Sequence, residues 1–339
     1  MQNETKRNFR LFFVFLLLAF PAFVSACDLC GCFIGVLPYD NQSSFSFQHR
    51  YRVFSGYSGG SGMLFPSGAY RIAPPNGSVL HGTAQTITHS ASDFESYKVF
   101  ELRGKWFIHP RIELNFVLPV LDNRSETGGI KSRATGLGDM TILAGYHLIR
   151  KTGDGNFRHR LLVGAGIKLP TGNDSRKDED GTRLPFMQQT GTGSTDAIIY
   201  SAYTGGGYNF RWGLTASLKL SGSNQYGEQI GWAQTGTAFA GYLIKAGKWT
   251  FLPQAQFYQE RMDGIWQNNE LQEGTAMNSL LGGPALSVFH GNWTADMGFQ
   301  ARVYDHTAEG NLLNKARIFI SLSWNFNQQK YLLQSSKKD

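Results

Sequence analysis

The chain is poor in cysteine, in charge and in long apolar runs. Its three cysteines, Cys27, Cys30 and Cys32, all fall in the string "VSACDLCGC". A disulfide framework spread through the fold is therefore excluded. Charged residues make up 17%, against about 25% in ordinary soluble domains. Beyond residue 26, Gly, Lys or Gln interrupts every apolar stretch, so none approaches the roughly 20 apolar residues of a membrane-spanning helix. Neither an H-E-x-x-H zinc signature nor a Walker loop occurs. No serine stands at a recognisable spacing from a histidine, and "GTGSTD" lies at a loop-to-strand corner rather than a strand-to-helix turn. An enzyme is not expected, and no catalytic residue is nominated. The formal charge is +7, but the basic residues are scattered. A nucleic-acid partner would want a clustered patch.

What remains is rich in glycine, with 40 residues, and in aromatics, at 14%. The first 26 residues have the form of an export signal. Lys6, Arg7 and Arg10 precede an apolar run from Leu11 to Val24, and Val24-Ser25-Ala26 supplies small residues for cleavage. The mature chain is thus expected to be exported and, having no apolar helix, to meet a membrane by another route.

Period-two alternation gives that route. Ala316, Ile318, Ile320, Leu322, Trp324 and Phe326 share one face of a strand; Arg317, Ser321, Ser323 and Asn325 share the other, with Phe319 the exception. Trp212, Leu214, Ala216, Leu218 and Leu220 likewise oppose Thr215, Ser217, Lys219 and Ser221. About twelve such segments are expected, near 43–54, 94–106, 112–121, 137–150, 159–170, 195–205, 212–221, 232–245, 249–261, 277–289, 293–304 and 315–326. Connections alternate between long (55–93, 122–136, 171–194, 222–231, 262–276, 305–314) and short (107–111, 151–158, 206–211, 246–248, 290–292). That asymmetry is the mark of an all-β, closed, antiparallel transmembrane β-barrel with short periplasmic turns and long external loops. Trp106, Trp212, Trp249, Trp293 and Trp324 then share one level, as an interfacial girdle requires. With no water in hydrocarbon to satisfy a free sheet edge, the first strand should pair with the last. The expected organisation is a signal peptide over 1–26, a periplasmic Cys/Gly-rich segment over 27–42 able to act as a plug, a barrel over 43–326, and a polar tail over 327–339.

The middle of the chain carries, in order, "PRIELNFVLPV" (110–120), "GLGDMTILAGYHLI" (136–149), "GIKLPTG" (166–172) and "GTGSTD" (191–196). Together these resemble the outer-membrane family named for a MetA pathway of phenol degradation, over about residues 95–326. The resemblance implies a transporter-like barrel in the Gram-negative outer membrane. Its partners would be membrane lipid, the barrel-assembly machinery and a small solute, hydrophobic or aromatic.

Alternation also nominates lumen residues. Arg50, Arg52, Glu101, Arg103, Lys168, Asp296, Arg302 and Arg317 are expected to face inward, with Glu101 and Asp296 neutralising the arginines. Asp139 and Asp196 should lie at similar heights below the external mouth. They form either a polar constriction or, as the reading preferred here, a lock that accepts loop N–H groups.

The cysteines leave four readings open. Cys27 follows a lipobox-like Val24-Ser25-Ala26 and could carry a lipid. Two cysteines could pair in an oxidising compartment. All three thiolates could bind a soft metal such as Cu(I), or they could have no chemistry. If this segment does the work, the barrel is a non-conducting structural or metal-binding protein.

Overall fold

The computed structural model describes residues 42–57, 93–151, 157–307 and 311–326. The expected signal peptide, Cys27, Cys30 and Cys32, the long 58–92 connection and the 327–339 tail lie outside the described residues.

The described chain is all β apart from one 3-10 turn, Phe186–Gln188. Its strands are β1 (Ser43–Tyr57), β2 (Phe94–His109), β3 (Ile112–Thr127), β4 (Ile130–Leu137), β5 (Met140–Lys151), β6 (Phe157–Leu169), β7 (Asp196–Gly207), β8 (Phe210–Leu220), β9 (Glu228–Ile230), β10 (Ala233–Tyr242), β11 (Ile244–Ala246), β12 (Trp249–Met262), β13 (Ile265–Gln267), β14 (Glu270–Gln272), β15 (Met277–His290), β16 (Trp293–Thr307) and β17 (Leu312–Phe326). Twelve of these make the wall. Going round, each pairs antiparallel with the next in the order β1, β2, β3, β5, β6, β7, β8, β10, β12, β15, β16, β17, and β17 returns to β1. The first and last strands do pair: Ser43 faces Phe326 and Arg52 faces Arg317. Every wall strand has two partners, so no free edge remains.

The two faces sort as the alternation predicts. Ile318, Ile320, Leu322 and Trp324 are exposed on the outside, while Arg317, Phe319, Ser323 and Asn325 are buried inside. Phe319 breaks the polar pattern because its register partner is Gly298, over which the ring folds; a Cβ there would collide with it. The exposed apolar band runs round the wall through Phe47, Leu102, Ile142, Ile199, Leu214 and Met297, as a lipid-facing surface requires. Trp106, Trp249, Trp293 and Trp324 are exposed at the end that carries the short turns. There Trp106, Trp324 and Phe45 cluster on Phe326, with ring centroids 5.5, 5.1 and 5.9 Å away.

Three departures occur at the other, long-loop end. The expected 122–136 loop is largely strand: β3 runs on to Thr127, still paired with β2, and turns into β4, which pairs with its other edge. A small sheet of β9, β13 and β14 replaces parts of two other loops. The 171–194 segment, read from its charges as a surface loop, is exposed only in part. Leu184, Phe186, Met187, Gln189 and Thr190 are buried, because the apolar string Leu184-Pro185-Phe186-Met187 folds inward.

Candidate functional site: the barrel lumen

The lumen is filled by polar side chains that the wall strands hold at fixed registers. On β1 and β2, Glu101 bonds the guanidinium of Arg50 and accepts from Arg103 Nε at 2.7 Å. Two residues up β1, Arg52 forms an ion pair with Glu260 of β12. Between β1 and β12 the wall passes through β17, β16 and β15, so this pair crosses the lumen. Tyr258 OH donates to Glu260 at 3.0 Å, Asn314 Nδ2 approaches it at 3.4 Å, and Arg52 Nε donates to Asn314 Oδ1 at 3.3 Å. The Arg317 guanidinium lies over the Tyr258 ring at 3.8 Å. Gln300 of β16 reaches Gln256 of β12 at 3.1 Å. Arg52, Glu260, Arg317 and Glu101 are at most 1% exposed, so the side chains themselves fill this waist.

A second cluster sits on β5 to β8. Lys168 Nζ lies 2.9 Å from both Asp139 and Asp196, and Lys219 Nζ lies 3.3 Å from Asp196. The N–H groups of Gly172 and Thr192 donate to Asp139 at 2.9 and 2.8 Å. Ser194 Oγ and the Gly222 N–H donate to Asp196 at 2.8 and 3.3 Å. These carboxylates therefore tie loop backbone to the wall, the geometry of a lock. A third cluster joins Glu113 to His147 at 3.0 Å, with Arg160 Nε donating to His147 Nδ1 at 3.0 Å.

Two nominated residues stand elsewhere. Asp296 does not meet the arginines; Ser321 Oγ donates to it at 2.9 Å. Its register partner is Ser321, whereas Arg317 pairs with Gln300. Four residues of strand separate Asp296 from Gln300, about 13 Å at a rise of about 3.3 Å each. Arg302 is exposed. Its register partner is the buried Leu281, and a β-bulge follows it, where Leu280 pairs with Tyr304.

Glu260 was not nominated, although the period-two run Leu252, Gln254, Gln256, Tyr258, Glu260 marks it as inward; all but Gln254 are buried. Also unforeseen is a cap over the mouth. Phe186 and Met187 pack with Ile230, Ala233, Met262 and Ile265 in one buried cluster. On the opposite wall Asn123 Nδ2 donates to the carbonyls of Gln188 and Gln189, both at 3.2 Å. Ser132 of the β3–β4 hairpin bonds Gln188. The hairpin is itself pinned by Asp122, which accepts from Arg133 at 2.7 Å, Thr135 at 2.9 Å and Arg124 at 3.1 Å. Asp122 lies past the part of β3 that pairs with β5, between Lys98 of β2 and Thr135 of β4. Burial alone would raise its pKa, but these donors outweigh burial and hold it at about 2. Arg183 adds a bidentate pair to Glu228 at 2.8 and 2.7 Å.

Between cap and waist lies a small chamber of about 50 Å³. Phe54, Tyr97, Met187, Met262, Met277 and Leu312 supply most of its apolar wall. Arg52 and Glu95 reach it as charged groups, and Tyr97 OH donates to Glu95 at 3.0 Å.

Among the described residues no group of three or more His, Cys, Asp or Glu side chains is placed to hold a metal ion. Gly56-Tyr57-Ser58-Gly59-Gly60 spells a hydrolase pattern in letters, but Gly56 and Tyr57 end a strand, and Ser58 lies outside the described residues.

No protein-family model matches the sequence, and no curated protein matches it. Among solved structures the chain is similar to the COG4313 outer membrane channel from Pseudomonas putida F1, with 13% identity and a TM-score of 0.63 over 90% of this chain and 99% of that one. It also aligns with the β domain of the Bordetella autotransporter BrkA, with 10% identity and a TM-score of 0.44 over 85% of this chain and all of that one. The first of these likenesses supports the fold, a closed outer-membrane-type barrel.

Proposed function

We propose that this chain is a gated barrel that passes a small solute across a Gram-negative outer membrane, with its short turns on the periplasmic side. It would be inserted by the barrel-assembly machinery and surrounded by lipid along the exposed apolar band. The observation that carries this reading is the chamber itself, lined by Met187 of the Phe186–Gln188 turn and by Arg52, the partner of Glu260. A wall as apolar as this favours a hydrophobic solute, aromatic ones included, as the resemblance to the MetA-pathway family implies. A soft-metal species is the other class. Asp139, Asp196 and Lys168 hold the rim, so passage requires the turn to withdraw and the waist pair to part.

The test is single-channel conductance in planar bilayers. The intact protein should show low conductance with rare openings, and Arg52→Met combined with Glu260→Met, which removes the cross-lumen pair, should open more often. Silence from both would refute passage. The complete burial of the waist favours a second reading, a non-conducting barrel whose work is done by Cys27, Cys30 and Cys32, as thiolate ligands of Cu(I) or with Cys27 lipidated. The mass of the mature N-terminus separates those two roles.

A further inference from the structure

The chamber holds a chemistry that a merely apolar lining does not need. Three segments each bring a methionine to it: Met187 from the inward-folded loop, Met262 from the last position of β12, and Met277 from the first position of β15. Met262 and Met277 are register partners on adjacent strands. Met187 and Met262 belong to one buried cluster. The described residues contain two other methionines, Met140 and Met297, which do not line this cavity. Methionine does fill irregular gaps in ordinary cores. Here, however, three line a single void of about 50 Å³. Leucine would fill the same wall with better-defined rotamers. What leucine lacks is a polarisable sulfur lone pair.

Thioether sulfur is a soft ligand that selects Cu(I) and similar cations. It offers little to hard, strongly hydrated ions, which prefer carboxylate, carbonyl and water oxygens. Arg52, the cation in the wall, already faces Glu260, while Glu95 adds a carboxylate. Phe54 and Tyr97 keep the rest of the lining aromatic.

We propose that Met187, Met262 and Met277 form a thioether site for a soft monovalent cation, Cu(I) or Ag(I), inside the long-loop mouth. The site's role as a way-station rests on the passage reading; its existence does not.

The test uses full-length protein in which Cys27, Cys30 and Cys32 are replaced by serine, so that no thiol competes. Should that variant fail to fold, protein with its thiols blocked by N-ethylmaleimide serves instead. The probe is Ag(I), titrated calorimetrically, with Zn(II) as the hard-ion control. One Ag(I) should bind per chain with no Zn(II) response. Met187→Leu and Met262→Leu should each weaken Ag(I) at least tenfold, and the two together should abolish binding. The electrophoretic mobility of the folded barrel should not change, because leucine preserves the apolar volume. Lack of Ag(I) binding, binding indifferent to both substitutions, or equal binding of Zn(II) would each overturn the site. Conductance is read separately. A chain that binds Ag(I) through these methionines yet never conducts keeps the site and loses passage; one that conducts but binds no Ag(I) loses the site and keeps passage.

Discussion

The cross-lumen pair allows a sharp test of whether the waist is dry. Arg52 and Glu260 are 1% and 0% exposed. Arg52→Met removes the cation and strands the Glu260 carboxylate with only Tyr258 OH at 3.0 Å and Asn314 Nδ2 at 3.4 Å. Breaking a buried pair from one side costs about 3–5 kcal/mol, because an uncompensated charge is left behind. The two remaining hydrogen bonds offset part of this, so about 3 kcal/mol is expected. Arg52→Met together with Glu260→Met should return to within about 1 kcal/mol of the intact protein, since apolar side chains of similar volume replace buried pairs at little loss. The assay is reversible urea unfolding in lipid vesicles, followed by tryptophan emission, for all four members of the cycle. A solvated pair behaves differently: exposed ion pairs are worth about 0.2–1 kcal/mol. A cost below about 1 kcal/mol for Arg52→Met, or a double variant no better than the single, would mean that water fills the waist, and the sealed description would be wrong.

Two further outcomes follow from the same geometry. Ile320 is exposed mid-strand on the outer face of β17; Ile320→Arg should destabilise the barrel by about 2–4 kcal/mol if that face lies at the bilayer midplane. Vesicle unfolding measures it, and a cost near zero would mean that this face is not in hydrocarbon. Asp139→Asn removes the charge opposite Lys168 and leaves one acceptor oxygen for the N–H groups of Gly172 and Thr192. Limited trypsin digestion should then cut within 174–186, at Arg176, Lys177 or Arg183, at least tenfold faster while the wall stays intact; unchanged cleavage would show that Asp139 does not hold the loop.

The wall was legible because its two physical constraints are local. A strand with lipid on one side and a polar lumen on the other must alternate, and Ala316–Phe326 does so with one exception, which Gly298 accommodates. Turn length follows from hairpin geometry, so short connections announce which strands are neighbours. The β3–β4 hairpin escaped notice because Ile130–Leu137 shows no clean period of two, and its charges resemble those of a loop. The inward turn at Phe186–Gln188 escaped for a related reason. The four apolar residues Leu184–Met187 follow a run dominated by Arg176, Lys177, Asp178, Glu179, Asp180 and Arg183, and so short a string gives no periodic signal.

The lumen was legible by face and illegible by partner. Period two tells which residues point inward, and it placed Arg50, Arg52, Glu101, Lys168, Asp139, Asp196 and Arg317 on that side. It carries no information about which wall lies opposite, since that depends on strand number, tilt and shear together. Hence Arg52 was matched to neighbours on its own side, when its partner Glu260 comes from β12, three wall strands beyond β17. Nor does alternation fix exposure: Arg302 pairs with the buried Leu281 yet is itself exposed. These failures have one physical origin. Pairing across a barrel is set by closure, a property of the whole ring. A chamber assembled from β1, β2, β12, β15, β17 and a loop can therefore bring Met187 to Met262 and Met277, a loop residue that no spacing in the sequence relates to those two register partners.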